Sequence, residues 1–155
     1  MQVVLVAIGK TVEKYLVDGI AEYEKRLKKY GTFRQEYLPV VKGKMSPQEI
    51  LVREEQQFFK VLKDSDTVIL LDNHGKQMKS IPFANYLQKK LVHSRGRICF
   101  LIGGAYGFSQ NMHNRYKEKL SLSEMTFSHQ IIRLIFAEQL YRAFTILNHE
   151  PYHNE

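Results

Sequence analysis

The chain has 155 residues, 44% apolar and 25% charged, with 23 basic against 16 acidic side chains and a formal net charge of +7. That length suits one compact domain over 1–155 with a core needing no staples, and the single cysteine, Cys99, excludes a disulfide framework or a cysteine-ligated zinc site. The longest apolar run, Val3 to Ile8, spans six residues without a basic flank, whereas a membrane span needs roughly 20; the expectation is a cytoplasmic protein with no membrane partner, and the basic balance points to a polyanion such as nucleic acid.

Val3 to Ile8 reads as a buried strand. Thr11 to Tyr30 follows as a helix, with Val12, Leu16, Ile20, Tyr23, Leu27 and Tyr30 at helical spacing, and Gly31 stops it. Phe33 to Val40 is a weaker strand whose Pro39 points to an edge or a strand end. Ser46-Pro47-Gln48-Glu49 is a capping box with proline at the first helical position, opening a helix that runs to Leu62. Thr67 to Leu71 is a buried strand followed by a loop, Asp72 to Lys76. Ser80 to Val92 is a helix with Phe83, Leu87 and Leu91 inward, and Ile98 to Ile102 a fourth strand. A short helix follows Ser109, Leu120 to Leu122 is a short fifth strand, and a last helix covers His129 to Leu147. Continuous apolar strands alternating with helices predict an α/β fold: a mostly parallel sheet with helices on both faces. Ligands of such sheets sit beyond the carboxyl ends of the strands, so the loops after Leu71, Ile102 and Leu122 are the places for chemistry.

Several chemistries are excluded. Gly103, Gly104 and Gly107 follow the fourth strand as G-G-x-x-G, not as the dinucleotide fingerprint of a first strand. There is no phosphate-binding P-loop and no G-x-S-x-G nucleophile elbow. Cys99 reads as a small core residue. His149 and His153 are four apart, but Pro151 breaks any helix that would align them, so no metal site is expected.

Three places stand out. The glycine turn either makes a tight strand-to-helix reversal or lets a ligand approach bare backbone. Leu120 to Phe127 mixes apolar and hydroxyl residues, as an irregular connector or as a wall whose amides read an adenine edge. The last helix is apolar over nearly its whole circumference, through Ile131, Ile132, Leu134, Ile135, Phe136, Leu140, Tyr141 and Phe144, which predicts burial in a core or an interface between two copies. Within it Glu138 and Arg142 stand four apart in the favourable order for an ion pair, a structural bridge or the mouth of an active site.

The stretches "VAIGK", "LLDNHGK", "FLIGGAYG", "LSLSEMTFSHQIIRLIFAEQLYRAF" and "PYH", in this order and spacing, resemble the ribosomal RNA large subunit methyltransferase H family, a SPOUT class of enzymes. The similarity runs over essentially the whole chain. It implies a C-terminal trefoil knot, a homodimer, S-adenosylmethionine as methyl donor, no metal, and methylation of N3 of a pseudouridine in 23S ribosomal RNA, in a ribosome or large subunit and not on DNA. Carried over by position, it implies donor contacts at Leu71, Gly103, Leu122, Ser123, Glu124, Met125, Thr126 and Phe127, and a catalytic region containing His129, Arg142, Tyr152 and His153. Ser128 stands where the family pattern has proline, and Asn154 where a basic residue is common.

The chemistry so implied needs placement of an activated methyl group and removal of the N3 proton. His129, His153, Glu155, the terminal carboxylate or solvent could take that proton, and Tyr152 could stack on the target base. Lys25, Arg26, Lys28 and Lys29, with Lys89, Lys90, Arg95 and Arg97, are either solvated faces or phosphate contacts. A related enzyme acting on a ribose 2′-hydroxyl or another base, or a non-catalytic dimeric RNA-binding protein, are the alternative readings.

Overall fold

The computed structural model describes residues 2–154, so Glu155 lies outside the described residues. Five strands form one sheet: β1 (Gln2–Ile8), β2 (Thr32–Leu38), β3 (Thr67–Gln77), β4 (Ile98–Ile102) and β5 (Lys119–Ser121). Their spatial order is β2-β1-β4-β3-β5, with every pairing parallel. Between and after them lie α1 (Lys14–Leu27), α2 (Pro47–Val61), α3 (Ser80–His93), α4 (Gln110–Arg115) and α5 (Ile131–Leu147).

Strand alternation divides the core in two. Val3, Leu5 and Ala7 of β1, Ile69 of β3 and Ile98, Phe100 and Ile102 of β4 pack with Leu27, Phe83, Leu87, Phe136 and Phe144, so α1, α3 and α5 cover this face. Val4, Val6, Leu70, Cys99 and Leu101 face the other way, onto Phe58 of α2 and Met112 of α4. Both faces of the central strands are buried, which is why their sequences are apolar without alternation. Burial also pushes the Cys99 thiol up to about 12, so it is inert at neutral pH.

Local signals decide the element ends. The Ser46 side chain accepts from the Glu49 backbone and the Glu49 carboxylate accepts from Ser46, closing the expected capping box. Pro39 immediately follows β2, an edge strand. Two expectations shift. Helix α1 begins only at Lys14, leaving Val12 in the preceding loop and 76% exposed. The segment Asp72–Lys76, expected as a loop, continues β3 through an irregularity in its pairing with β5 between Leu71 and Lys76.

Helix α5 lies between α1 and α3, and none of its residues is exposed. At Gly19 of α1 an added Cβ would come within 3.0 Å of the Leu134 side chain, so the missing side chain lets the two helices close together. The apolar circumference of α5 is therefore largely used within one chain.

Candidate functional site

All strands run in one direction, so the Leu71–His74 stretch of β3 and the segments leaving β4 and β5 meet at one edge of the sheet. They enclose a cavity of about 550 Å3, within the range of small-ligand sites. Leu71, Gly103, Leu122, Ser123, Met125, Thr126, Phe127 and His129 line it; Glu124 is exposed and does not. Its walls combine aliphatic side chains such as Ile102, Leu120 and Ile132 and the three turn glycines with the rings of Tyr106, Phe108 and Phe127 and the imidazoles of His74, His113 and His129, and Asp72 is its carboxylate-bearing residue.

The glycine turn is closed by a hydrogen bond from the Gly107 N–H to the Gly104 carbonyl (3.1 Å). A Cβ on Gly103 would stand 2.5 Å from the Gly107 carbonyl oxygen, so this position is bare because the turn folds onto itself. A Cβ on Gly104 would collide with the Glu54 carboxylate. Gly107 has open space around it but a φ of 75°, which side chains disfavour. The glycines make the tight reversal, and Gly103, Gly104 and Gly107 line the cavity.

The turn is braced from α2. Glu54 is 5% exposed, its Oε1 has no hydrogen-bond partner among the described residues, and burial raises its pKa. Glu55 accepts from the Ser109 hydroxyl (2.6 Å), and that oxygen accepts from the Met112 N–H, capping α4. On the β3 side, Asp72 Oδ1 accepts from the His74 N–H (2.7 Å), while Oδ2 lies 3.7 Å from His113 Nε2. Burial, then the charge of Lys119, lowers the His113 pKa and favours neutral imidazole.

The segment leading into α5 is held to the end of β1. Arg133 is fully buried and donates to the carbonyls of His129 (2.8 Å), Gly9 (2.8 Å) and Ile8 (2.9 Å) and to the Thr11 hydroxyl (3.1 Å). Its guanidinium lies 5.5 Å from the centre of the Tyr37 ring, and burial lowers its pKa. Gln130 accepts from the Val12 N–H and donates to the Lys10 carbonyl. Ser128 accepts from the Ile131 N–H (3.1 Å) and so satisfies one of the free donors at the start of α5.

Arg142, Tyr152 and His153 do not join this cavity within the chain. Eleven residues of helix separate Arg142 from Ile131, about 16 Å along the axis. There they form their own cluster. Arg142 donates to Glu138 from Nε (3.0 Å) and a terminal nitrogen (2.6 Å), and a second nitrogen lies 3.2 Å from His153 Nδ1, which must accept. The Tyr152 hydroxyl donates to Glu138 (3.2 Å) and meets the Tyr23 hydroxyl (3.3 Å), while its ring meets Tyr141 edge-on at 4.7 Å. Burial, then the Tyr23 contact, raises the Tyr152 pKa, and the Glu138 bond raises that of Arg142. The terminus is thus packed against α1 and α5 through Tyr152 and His153.

Several participants escape a reading of the sequence. Arg133 is visible there only as one of two arginines in an apolar helix, without the acidic partner that Arg142 has four residues away, and Glu54 and Glu55 look like surface residues of an amphipathic one. Of the basic clusters, Arg26, Lys29, Lys90 and Arg97 pair with Glu22, Glu150, Glu118 and Asp66. Lys25, Lys28, Lys89 and Arg95 make no ion pair among the described residues. No group of three or more His, Cys, Asp or Glu is arranged to hold a metal, and no helix is long and apolar enough to cross a membrane, among the described residues.

Residues 1–153 match the family described as predicted SPOUT methyltransferases. The ribosomal RNA large subunit methyltransferase H of Bacteroides fragilis is 46% identical over 157 residues, covering 100% of both chains. That of Cytophaga hutchinsonii is 45% identical, over 99% of this chain and 100% of its own. Among solved structures, tRNA (m1G37) methyltransferase from Aquifex aeolicus superposes with a TM-score of 0.52 at 14% identity, covering 100% of this chain and 76% of its own. A putative methyltransferase from Legionella pneumophila, solved with the cofactor SAM bound, gives 0.50 at 13% identity, covering 93% and 66%. The last two share the fold.

Proposed function

The chain belongs to the ribosomal RNA large subunit methyltransferase H family of SPOUT methyltransferases, and we propose that it transfers a methyl group from S-adenosylmethionine to N3 of a pseudouridine in 23S ribosomal RNA. The observation that carries this reading is the meeting of the Leu71–His74 stretch of β3 with the segments after β4 and β5 around one cavity of ligand size. In this reading the whole of 1–155 is one catalytic domain whose C-terminal part forms the family's trefoil knot.

The cavity's chemistry suits such a donor. Leu120, Leu122 and Ile132 offer apolar surface to a purine, backbone at Gly103 and in the 122–127 segment, apart from the already bonded Met125 N–H and Ser123 carbonyl, offers hydrogen bonds to its edge, and Asp72 offers a carboxylate to a positively charged ligand. S-adenosylmethionine supplies an already activated methyl group when bound. The chain's own work is to hold the acceptor in line and exclude water. His129 takes the N3 proton in the same chain's cavity, and its backbone is fixed for this by Arg133. Glu124 belongs to the donor loop without lining the cavity.

The remaining catalytic candidates, Arg142, Tyr152 and His153, act from a second copy. A homodimer that sets one protomer's tail cluster against its partner's cavity joins the two groups that a single chain holds apart. Exposed apolar side chains beside the cavity, Met125 at 73% and Phe127 at 37%, suit coverage by that partner.

The test is methyl transfer from labelled donor to ribosomes that contain or lack the pseudouridine, followed by nucleoside mass analysis. The reading expects N3-methylpseudouridine from the first substrate alone. A methylated ribose or another base would replace it with a different SPOUT activity, and donor-independent RNA binding without transfer would replace it with a binding protein.

A further inference from the structure

We infer that Tyr106 is a stacking platform for the unpaired acceptor base at the mouth of the cavity, an inference that rests on the RNA methyltransferase reading above. N3 lies on the pairing edge of the base, so the acceptor must be unpaired and its lost stacking replaced by the protein. Tyr152, the aromatic expected for this from the sequence, already has its ring against Tyr141 and 4.8 Å from the Arg142 guanidinium. Tyr106 is different. It lines the cavity, is 53% exposed, and makes no hydrogen bond or ring contact among the described residues.

Its mounting is rigid. Tyr106 sits at the tip of the reversal closed by the Gly107 N–H and the Gly104 carbonyl. Behind that reversal stand the Glu54 carboxylate, against Gly104, and the Glu55–Ser109 hydrogen bond. A tyrosine on such a turn has two side-chain torsions to fix, so a flat apolar surface is presented at small entropic cost. Aromatic stacking tolerates any base, and the pseudouridine would be chosen elsewhere, by the ribosomal surface around it.

The experiment compares Tyr106→Leu, Tyr106→Phe and Tyr106→Trp. The chain has no tryptophan, so the last variant keeps an aromatic face and adds a single indole reporter. With ribosomes as substrate, Tyr106→Leu should raise KM about tenfold or more. Donor affinity by calorimetry should stay within twofold, and Tyr106→Phe should behave as wild type. Indole emission of Tyr106→Trp should be quenched by ribosomes and not by donor alone. An unchanged KM in Tyr106→Leu, or unquenched emission, overturns the inference while the wild type remains active. A fall in sedimenting mass of Tyr106→Leu also overturns it, because the ring would then belong to the contact between copies. A wild type that transfers no methyl group to ribosomes overturns both this inference and the reading beneath it.

Discussion

Replacing Gly103 by alanine tests the link between the turn and the site. The added Cβ would lie 2.5 Å from the Gly107 carbonyl oxygen and 2.7 Å from its carbon, whereas ordinary contact begins at 3.4 Å. The turn must therefore open by about 0.9 Å at this point, on the order of the misplacement that costs a hundredfold in rate elsewhere. Neither side yields easily, since the obstructing atoms are backbone and Gly104 behind them abuts Glu54. Overpacking of this kind costs about 1–3 kcal/mol of stability. We expect the variant to fold, with weakened donor binding by calorimetry and a methyl-transfer rate reduced about a hundredfold. Gly107→Ala is the control. Its Cβ meets nothing within 4 Å, and its φ of 75° costs about 1 kcal/mol, so it should lose a little stability and much less activity. Wild-type donor affinity and rate in Gly103→Ala would refute the claim that the closed turn shapes the site.

Three other outcomes are expected. Glu54 has its pKa raised by burial above the ordinary value of 4.5, so the folded state holds a proton that the unfolded state releases. Stability should then fall as pH rises from about 4.5 through the folded pKa, and Glu54→Gln should remove that slope in urea titrations at several pH values; an unchanged slope would show that another group causes it. Arg133→Met leaves three carbonyls and a hydroxyl without their donor, at about 1–3 kcal/mol for each group that water cannot reach, partly offset by no longer burying a cation. A net loss of about 2–4 kcal/mol in denaturant titration is expected, and a loss under about 1 kcal/mol would mean the segment before α5 is held otherwise. Mixing a chain truncated before Pro151 with Gly103→Ala should restore transfer in the mixed dimer, because one intact cavity then faces one intact tail; a verified mixed dimer without activity would place tail and cavity in the same protomer.

The sequence makes the sheet legible for a physical reason. Strands buried on both faces must be apolar throughout, and β1 and β4 show this without ambiguity. Parallel strands then bring their carboxyl ends to one edge, so the segments after Leu71, Ile102 and Leu122 meet without any further assumption, although the first of them is strand and not loop. Less could be read from Asp72–Lys76, where turn-forming residues continue a strand because β5 offers pairing beyond a bulge. The polar supports were hidden too. Arg133 looks like an interruption in an apolar helix, and only the bare carbonyls at the end of β1 explain it. Helix α5 is apolar around its circumference, which predicts burial in a core or between copies, and seven of its residues are buried within one chain, where it packs against α1 and α3. Helical spacing alone puts Arg142 far from His129.

The most direct measurement is a crystal structure with S-adenosylmethionine bound. The account predicts the donor between Leu71, Gly103 and residues 122–127, its methyl group facing His129 and the partner's tail. A donor bound elsewhere, or a cavity closed by the chain's own side chains, would contradict it.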